Sequence, residues 1–155
     1  MPERTFTFFK PETIMRGFIG EVLSRFERKG FVVNAMKLLW VTEEQAKILY
    51  DAHKAKPFFR ELIEHITSGP IVALVVEGPD AIKVVRKLVG ATNPALAEPG
   101  TIRGDYSLEI FCNTIHASDS PENAEREMNI FFRKDEIYSY VKPTERQFLF
   151  MESWK

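Results

Sequence analysis

The run Ile71-Val72-Ala73-Leu74-Val75-Val76, closed by Gly69-Pro70 on one side and Gly78-Pro79 on the other, constrains the fold more than any other segment. Six consecutive apolar residues suit a strand covered on both faces, because a half-buried strand alternates polar and apolar positions. The run is far shorter than the roughly 20 residues needed to cross a bilayer. The centre of a covered sheet is therefore predicted here, and the rest of the chain must supply its neighbours and its cover.

Thr5 to Phe9 is rich in β-formers and ends at Lys10-Pro11, where proline removes a ladder donor; it reads as a first strand. From Ile14, the apolar residues Ile14, Phe18, Ile19, Val22, Leu23 and Phe26 follow the helical period, and one helix is expected to run to Gly30. Phe31 to Val41 reads as a second strand with imperfect alternation. Thr42 and Gln45 have capping-box spacing for a short helix to about Tyr50. A second short helix, with Phe58, Phe59, Leu62, Ile63 and Ile66 on its stripe, completes a helical hairpin.

After the central run, Asp80 is expected to start a helix with Ala81, Val84, Val85, Leu88 and Val89 on one face, ended by Gly90. Between Ala91 and Asn113 the periodicity disappears, and a connection of that length in a compact domain is usually functional. A short strand around Thr114 to His116 and a helix opening at Ser120-Pro121 follow. The order predicts an α+β fold: a ferredoxin-like βαββαβ sandwich with a four-stranded antiparallel sheet, an inserted helical hairpin and a long loop near the active site. With no repeat or linker, residues 1–155 read as one domain, whose segment 137–155 is expected to pack on the domain or on a neighbouring subunit.

A net charge of -1 with interspersed acids and bases leaves no basic stripe, so nucleic acid is not expected as the primary ligand. Lys29-Gly30-Phe31-Val32-Val33 has a faint likeness to an RNA-recognition strand, but the further aromatic residues such a strand needs are missing. The charged Met1–Lys10 segment lacks a signal-peptide core, which points to the cytoplasm and away from the membrane. The single cysteine, Cys112, excludes an intrachain disulfide and reads as a small packed side chain.

The chemistry concentrates near the end of the fold. In the helix after Pro121, Glu127 falls on the side carrying Ala124, Met128 and Phe131, and a carboxylate turned toward a core demands a partner. His116 is the candidate. A histidine held through one ring nitrogen presents the other as a directed lone pair, and Arg103 with the amides near Ser120 would receive phosphate charge. An isolated histidine is ordinarily satisfied by a backbone carbonyl, so spacing alone does not assign this role. Neither G-x-x-x-x-G-K-[ST] nor G-x-G-x-x-G occurs in the chain.

The string Asn113-Thr-Ile-His116-Ala-Ser118-Asp119-Ser120 matches the N-x-x-H-[GA]-S-D-S pattern of nucleoside diphosphate kinases. Arg4-Thr5, Lys10-Pro11, Arg16-Gly17, Lys29-Gly30-Phe31, Pro57-Phe58-Phe59, Gly90-Ala-Thr92-Asn93-Pro94 and Pro99-Gly100-Thr-Ile-Arg103-Gly104 resemble further landmarks of that family, in its order. The resemblance implies ping-pong transfer of a γ-phosphoryl group from nucleoside triphosphates to diphosphates through phosphorylated His116. Glu127 would hold the far side of the imidazole, supported by Ser118. Arg86, Thr92 and Arg103 would contact phosphates, with His53 as a further candidate. Lys10 and Asn113 would meet the sugar 3′-hydroxyl. Phe58, Leu62 and Ile110 would line the base site, although Phe58 and Leu62 also fit a core role, and Tyr50 would brace the site.

The same resemblance implies Mg²⁺ carried on the nucleotide's phosphates, broad base specificity, and a homo-oligomer whose commonest form in the family is a hexamer, with a tetramer also known. Phe9 and Glu12 depart from the family's usual small aliphatic residue and aspartate, and the segment after Glu136 also departs from its pattern.

Overall fold

The computed structural model describes residues 2–142. Its strands are β1 (Glu3–Phe9), β2 (Val32–Leu39), β3 (Ile71–Gly78) and β4 (Ile115–Ala117). Its helices are α1 (Pro11–Met15), α2 (Ile19–Lys29), α3 (Glu43–Leu49), α4 (Phe59–Ile66), α5 (Ala81–Val89), α6 (Ile102–Tyr106) and α7 (Pro121–Phe131). The strands form one antiparallel sheet in the order β2-β3-β1-β4. This is the predicted βαββαβ arrangement.

The apolar run occupies the sheet's interior as β3, and its period of two divides it between two cores. Ile71, Ala73 and Val75 join Phe6 and Phe8 of β1 beneath α3, α4 and α7. Val72, Leu74 and Val76 turn to the opposite face, where Val22 and Phe26 of α2 and Val85 and Val89 of α5 cover them. Each buried Val, Leu or Ile contributes roughly 1.5–3 kcal/mol, so an uninterrupted apolar run is what two covered faces require.

Local signals explain most boundaries. The Thr42 hydroxyl accepts the Gln45 amide at 3.1 Å and the Gln45 side chain accepts the Thr42 amide at 3.0 Å, completing the expected capping box. The imperfect alternation of β2 has a cause in a register shift between Val33 and Ala35, a bulge against β3.

Two expectations change. The single helix from Ile14 to Gly30 is two helices, because Gly17 takes a left-handed φ of 73° and ends the first before Phe18 begins the second. Asp80 stands at the start of α5 as expected, and Glu3 of β1, rather than the Asp80 side chain, accepts the Ile82 amide at 2.9 Å. The stretch from Ala91 to Asn113 contains α6, capped by Thr101, with Gly104 where a β-carbon would lie 2.0 Å from the Glu98 carbonyl oxygen.

Past Glu136, the chain turns back along β2. The Tyr138 amide donates to Asn34 at 2.8 Å, and the Tyr140 hydroxyl donates to Val33 at 2.6 Å. The aromatic residues Phe148, Phe150 and Trp154 of the expected packing segment lie outside the described residues. Among those residues, no helix is long and apolar enough to cross a membrane.

Candidate active site

His116 sits on β4 directly opposite Phe8 of β1. Their rings stack with centroids 4.9 Å apart and planes 20° from parallel, so Phe8 forms a floor beneath the imidazole. From the far side, α7 brings Glu127 to 2.9 Å from His116 Nε2. An ionised carboxylate only accepts, so Nε2 carries the proton and Nδ1 holds the lone pair. The Ser118 hydroxyl donates to the same carboxylate oxygen, and Arg126 lies 3.8 Å from the other.

Burial would raise the Glu127 carboxyl, but the hydrogen bonds from His116 and Ser118 and the charge of Arg126 outweigh it and hold the group below its ordinary value. The inward glutamate anticipated from helical periodicity is therefore a satisfied buried anion. Removing its partners would leave an uncompensated charge, a loss of about 3–5 kcal/mol for buried pairs.

His116 opens onto a cleft of about 610 Å³. Lys10, Arg86, Thr92, Arg103 and Asn113 line it together with His116, and Phe58, Leu62 and Ile110 are among its apolar lining residues. The structure thus brings every expected substrate-binding side chain to one cleft. Ser118 does not line the cleft; it is buried behind it, with its hydroxyl donating to Glu127.

The cations are held in place by the backbone. Arg103, on α6, donates from Nε to Asn113 O at 3.2 Å, from Nη1 to Gly90 O at 3.1 Å and from Nη2 to Ile115 O at 2.7 Å. Three of a guanidinium's five N–H donors are thereby engaged and two remain for an anion. Arg86 donates to Ala117 O at 3.1 Å. Burial first, then the charge of Arg86, lowers Arg103 to about 10. Burial pulls Lys10 down to about 8, with Glu12 opposing the shift and Arg103 adding to it. Crowded, desolvated cations without a full set of counter-charges favour a polyanion.

Between Asn113 and Ile115 the chain makes a strained turn. The Ile115 amide donates back to Asn113 O at 2.8 Å around Thr114, whose φ is 73°. That is a γ-turn geometry rarely adopted by a β-branched residue. Thr114 is pinned from three sides: its carbonyl accepts the Lys10 amide at 2.9 Å and the Thr13 hydroxyl at 2.6 Å, and its amide donates to Glu12 at 3.1 Å. The turn leaves the Asn113 Nδ2 donating to Thr92 O at 2.9 Å, while Asn113 Oδ1 is buried with no hydrogen-bond partner among the described residues. An orphaned acceptor beside Lys10 in the cleft lining suits a ligand hydroxyl.

His53 also lines the cleft, tilted against Tyr50 and Phe58, and its buried Nδ1 has no hydrogen-bond partner among the described residues. Burial and Lys56 lower its pKa. Tyr50 is pushed up by burial, with the negative charges of Glu127 and Glu12 adding to the shift. One expectation fails: Cys112 is exposed, because it lies in the open segment before the γ-turn. Sequence reasoning also missed Phe8 and Arg126. Their roles depend on the β1–β4 register and on the approach of α7, which no local motif encodes.

The nucleoside diphosphate kinase family model matches residues 3–137. A nucleoside diphosphate kinase of Archaeoglobus fulgidus is 57% identical over 143 residues, covering 92% of this chain and 95% of that protein. The corresponding protein of Halalkalibacterium halodurans is 53% identical over 144 residues, covering 93% of this chain and 98% of its own. Among solved structures, the Halobacterium salinarum nucleoside diphosphate kinase in complex with CDP superposes with a TM-score of 0.91 at 42% identity, covering 95% of this chain and 98% of that one. A transition-state mimic of the Borrelia burgdorferi enzyme with bound vanadate and ADP gives 0.89 at 41% identity, covering 94% and 96%.

Proposed function

Because this chain belongs to the nucleoside diphosphate kinase family, we propose that its His116 is the group that carries the phosphoryl between nucleotides. The protein is a phosphotransferase that moves the γ-phosphoryl group of nucleoside triphosphates onto nucleoside diphosphates. The observation that carries the assignment is the Nε2–Glu127 contact of 2.9 Å, which leaves Nδ1 as the nucleophilic nitrogen of a ring lining the cleft.

In the first half-reaction, the Nδ1 lone pair forms a bond to the γ-phosphorus as the bond to the bridging oxygen breaks, and the diphosphate leaves. The ring gains positive charge while keeping its Nε2 proton, and Glu127 stabilises that charge without proton transfer. An incoming diphosphate reverses the step: its terminal oxygen attacks phosphorus, the N–P bond breaks and neutral imidazole returns. Phe8 and Glu127 fix the ring's plane and direction, so reorientation is avoided.

Arg86, Thr92 and Arg103 bind the phosphates, and His53 reaches the β-phosphate side. Lys10 donates to the sugar 3′-hydroxyl, which in turn donates to Asn113 Oδ1. Phe58, Leu62 and Ile110 hold the base by its faces, which supports broad base specificity. Asp119 and Glu127 are the acids lining the cleft, and both already accept side-chain hydrogen bonds. That donor set suits Mg²⁺ held by the nucleotide's own phosphates rather than a protein cage, where the ion would offset phosphate charge.

Residues 1–155 act as one domain in this reading, supported by the single sheet that the described strands share. A homo-oligomer, a hexamer or else a tetramer, is supported by β2 at the sheet edge with Met36, Leu38 and Trp40 exposed along and beyond it. Sedimentation distinguishes the two assemblies. The cytoplasm is supported by an exposed free thiol at Cys112.

The decisive experiment mixes protein, ATP, dTDP and Mg²⁺ and follows dTTP together with the intact mass. The parent protein should form dTTP and gain one phosphoryl mass from ATP alone, whereas His116→Ala should do neither. A phosphorylated His116→Ala protein would remove His116 from this role.

A further inference from the structure

Beside the cleft, three different donor atoms converge from separate elements. A carboxylate oxygen of Glu12 on α1, a ring nitrogen of His65 on α4 and the thiol sulfur of Cys112 all lie within 4.8 Å of one another. Glu12 Oε2 is 2.7 Å from His65 Nε2, and the other carboxylate oxygen accepts the Thr114 amide at 3.1 Å. The γ-turn therefore orients the carboxylate from behind, as outer hydrogen bonds orient metal-binding carboxylates.

We propose that Glu12, His65 and Cys112 form a binding site for one divalent transition cation of zinc type. Mixed oxygen, nitrogen and thiolate donors suit zinc, whereas Mg²⁺ and Ca²⁺ take oxygen ligands. Bonds of about 2.0–2.3 Å around a tetrahedral ion separate its ligand atoms by roughly 3.3–3.8 Å. The Glu12–His65 pair, now 2.7 Å apart, must open by roughly 0.6 Å, and the thiol, within 4.8 Å of both partners, need close by no more than about 1.3 Å, which side-chain rotation accommodates at an exposed cysteine.

The fourth position has room. His65 opens onto a recess of about 340 Å³ lined also by Glu61, one helical turn earlier on α4. Glu61 or a water completes the coordination. This arrangement does not depend on the phosphoryl-transfer reading, because none of its three ligands lines the nucleotide cleft.

The recess and the cleft nevertheless share Lys10, Tyr50, Leu62 and Phe111. A divalent charge on Glu12 also offsets the carboxylate that faces Lys10. Occupancy is therefore expected to slow nucleotide exchange, a second consequence that does rest on the proposed role of the cleft.

The test titrates metal-free protein with Co²⁺ as a visible stand-in for zinc. One equivalent should produce the visible bands of a tetrahedral ion and a near-ultraviolet thiolate-to-cobalt charge-transfer band, both removed by Zn²⁺. Cys112→Ser should lose the charge-transfer band, and His65→Gln should weaken binding by more than about tenfold, as losses around metal sites do. Both variants should keep the parent's circular dichroism and exchange rate. Lack of the band in the parent, its persistence in Cys112→Ser, or saturation at half an equivalent with two chains bridged would overturn the site. Equal slowing of exchange by Zn²⁺ in parent and Cys112→Ser would overturn the coupling while leaving the spectra to judge the site.

Discussion

Phe8 and His116 face each other across the β1–β4 ladder with their rings stacked at 4.9 Å, so the strand pairing itself supplies the floor under the imidazole. The ring is held in plane by Phe8, held in direction by Glu127, and lines the cleft. Its freedom is restricted before any nucleotide arrives.

Phe8→Leu tests the floor. Because the change nearly conserves apolar character, it should cost less than about 1.5 kcal/mol of stability if the core repacks. Losing the flat platform should lower kcat by up to about 100-fold, the scale of a misplacement near 1 Å, with KM little changed. Steady-state kinetics beside thermal unfolding separates the two effects; an unchanged kcat would show that Glu127 alone orients the ring.

Glu127→Gln tests the brace. We expect kcat to fall on the order of 10- to 100-fold while nucleotide affinity stays near the parent's, because the group acts on the ring rather than on the ligand. The folded carboxyl titrates below its ordinary 4.5, so its stabilisation is present above that value and lost as pH falls through the folded value. Unfolding midpoints measured from pH 6 downward should therefore decline less steeply in the variant. An identical acid limb would contradict the linkage.

Lys10 predicts opposite trends for stability and turnover at alkaline pH. An unfolded lysine keeps its proton to about 10.5, whereas folded Lys10 releases it near 8. The cost of its buried charge is therefore present below pH 8 and relieved toward 10.5, so this group's contribution to stability rises across that window. Over the same window kcat/KM, which reports the free enzyme, should fall by about tenfold per pH unit as the ammonium is lost. Lys10→Met should have lower kcat/KM throughout and lack that limb; an alkaline limb unchanged in the variant would assign it elsewhere.

The sheet was legible because its signals are local and redundant. Six apolar residues between Gly-Pro pairs gave β3, the Thr42–Gln45 spacing gave a helix start, and Glu127 betrayed itself as an acid in an apolar stripe. Where expectations failed, periodicity was too coarse. Ile14 and Phe18 keep the helical spacing across a break that depends on the φ of Gly17, and α6 is too short to establish a period. Cys112 illustrates a third limit, since its exposure follows from the course of the segment before Thr114.

By itself, the sequence determined the four strands and the longer helices, which family landmarks stand in order, and that an inward-facing acid at Glu127 would need a partner. Those properties reside in nearest-neighbour chemistry and short periods, which do not require the chain's path. Only the tertiary structure decided that Phe8 lies under His116, that Arg103 reaches the Ile115 carbonyl of β4 from a separate helix, and that Glu12, His65 and Cys112 meet. Such contacts join residues far apart in sequence. Their geometry is set by strand register and helix packing, which bury the most apolar surface for the whole chain at once.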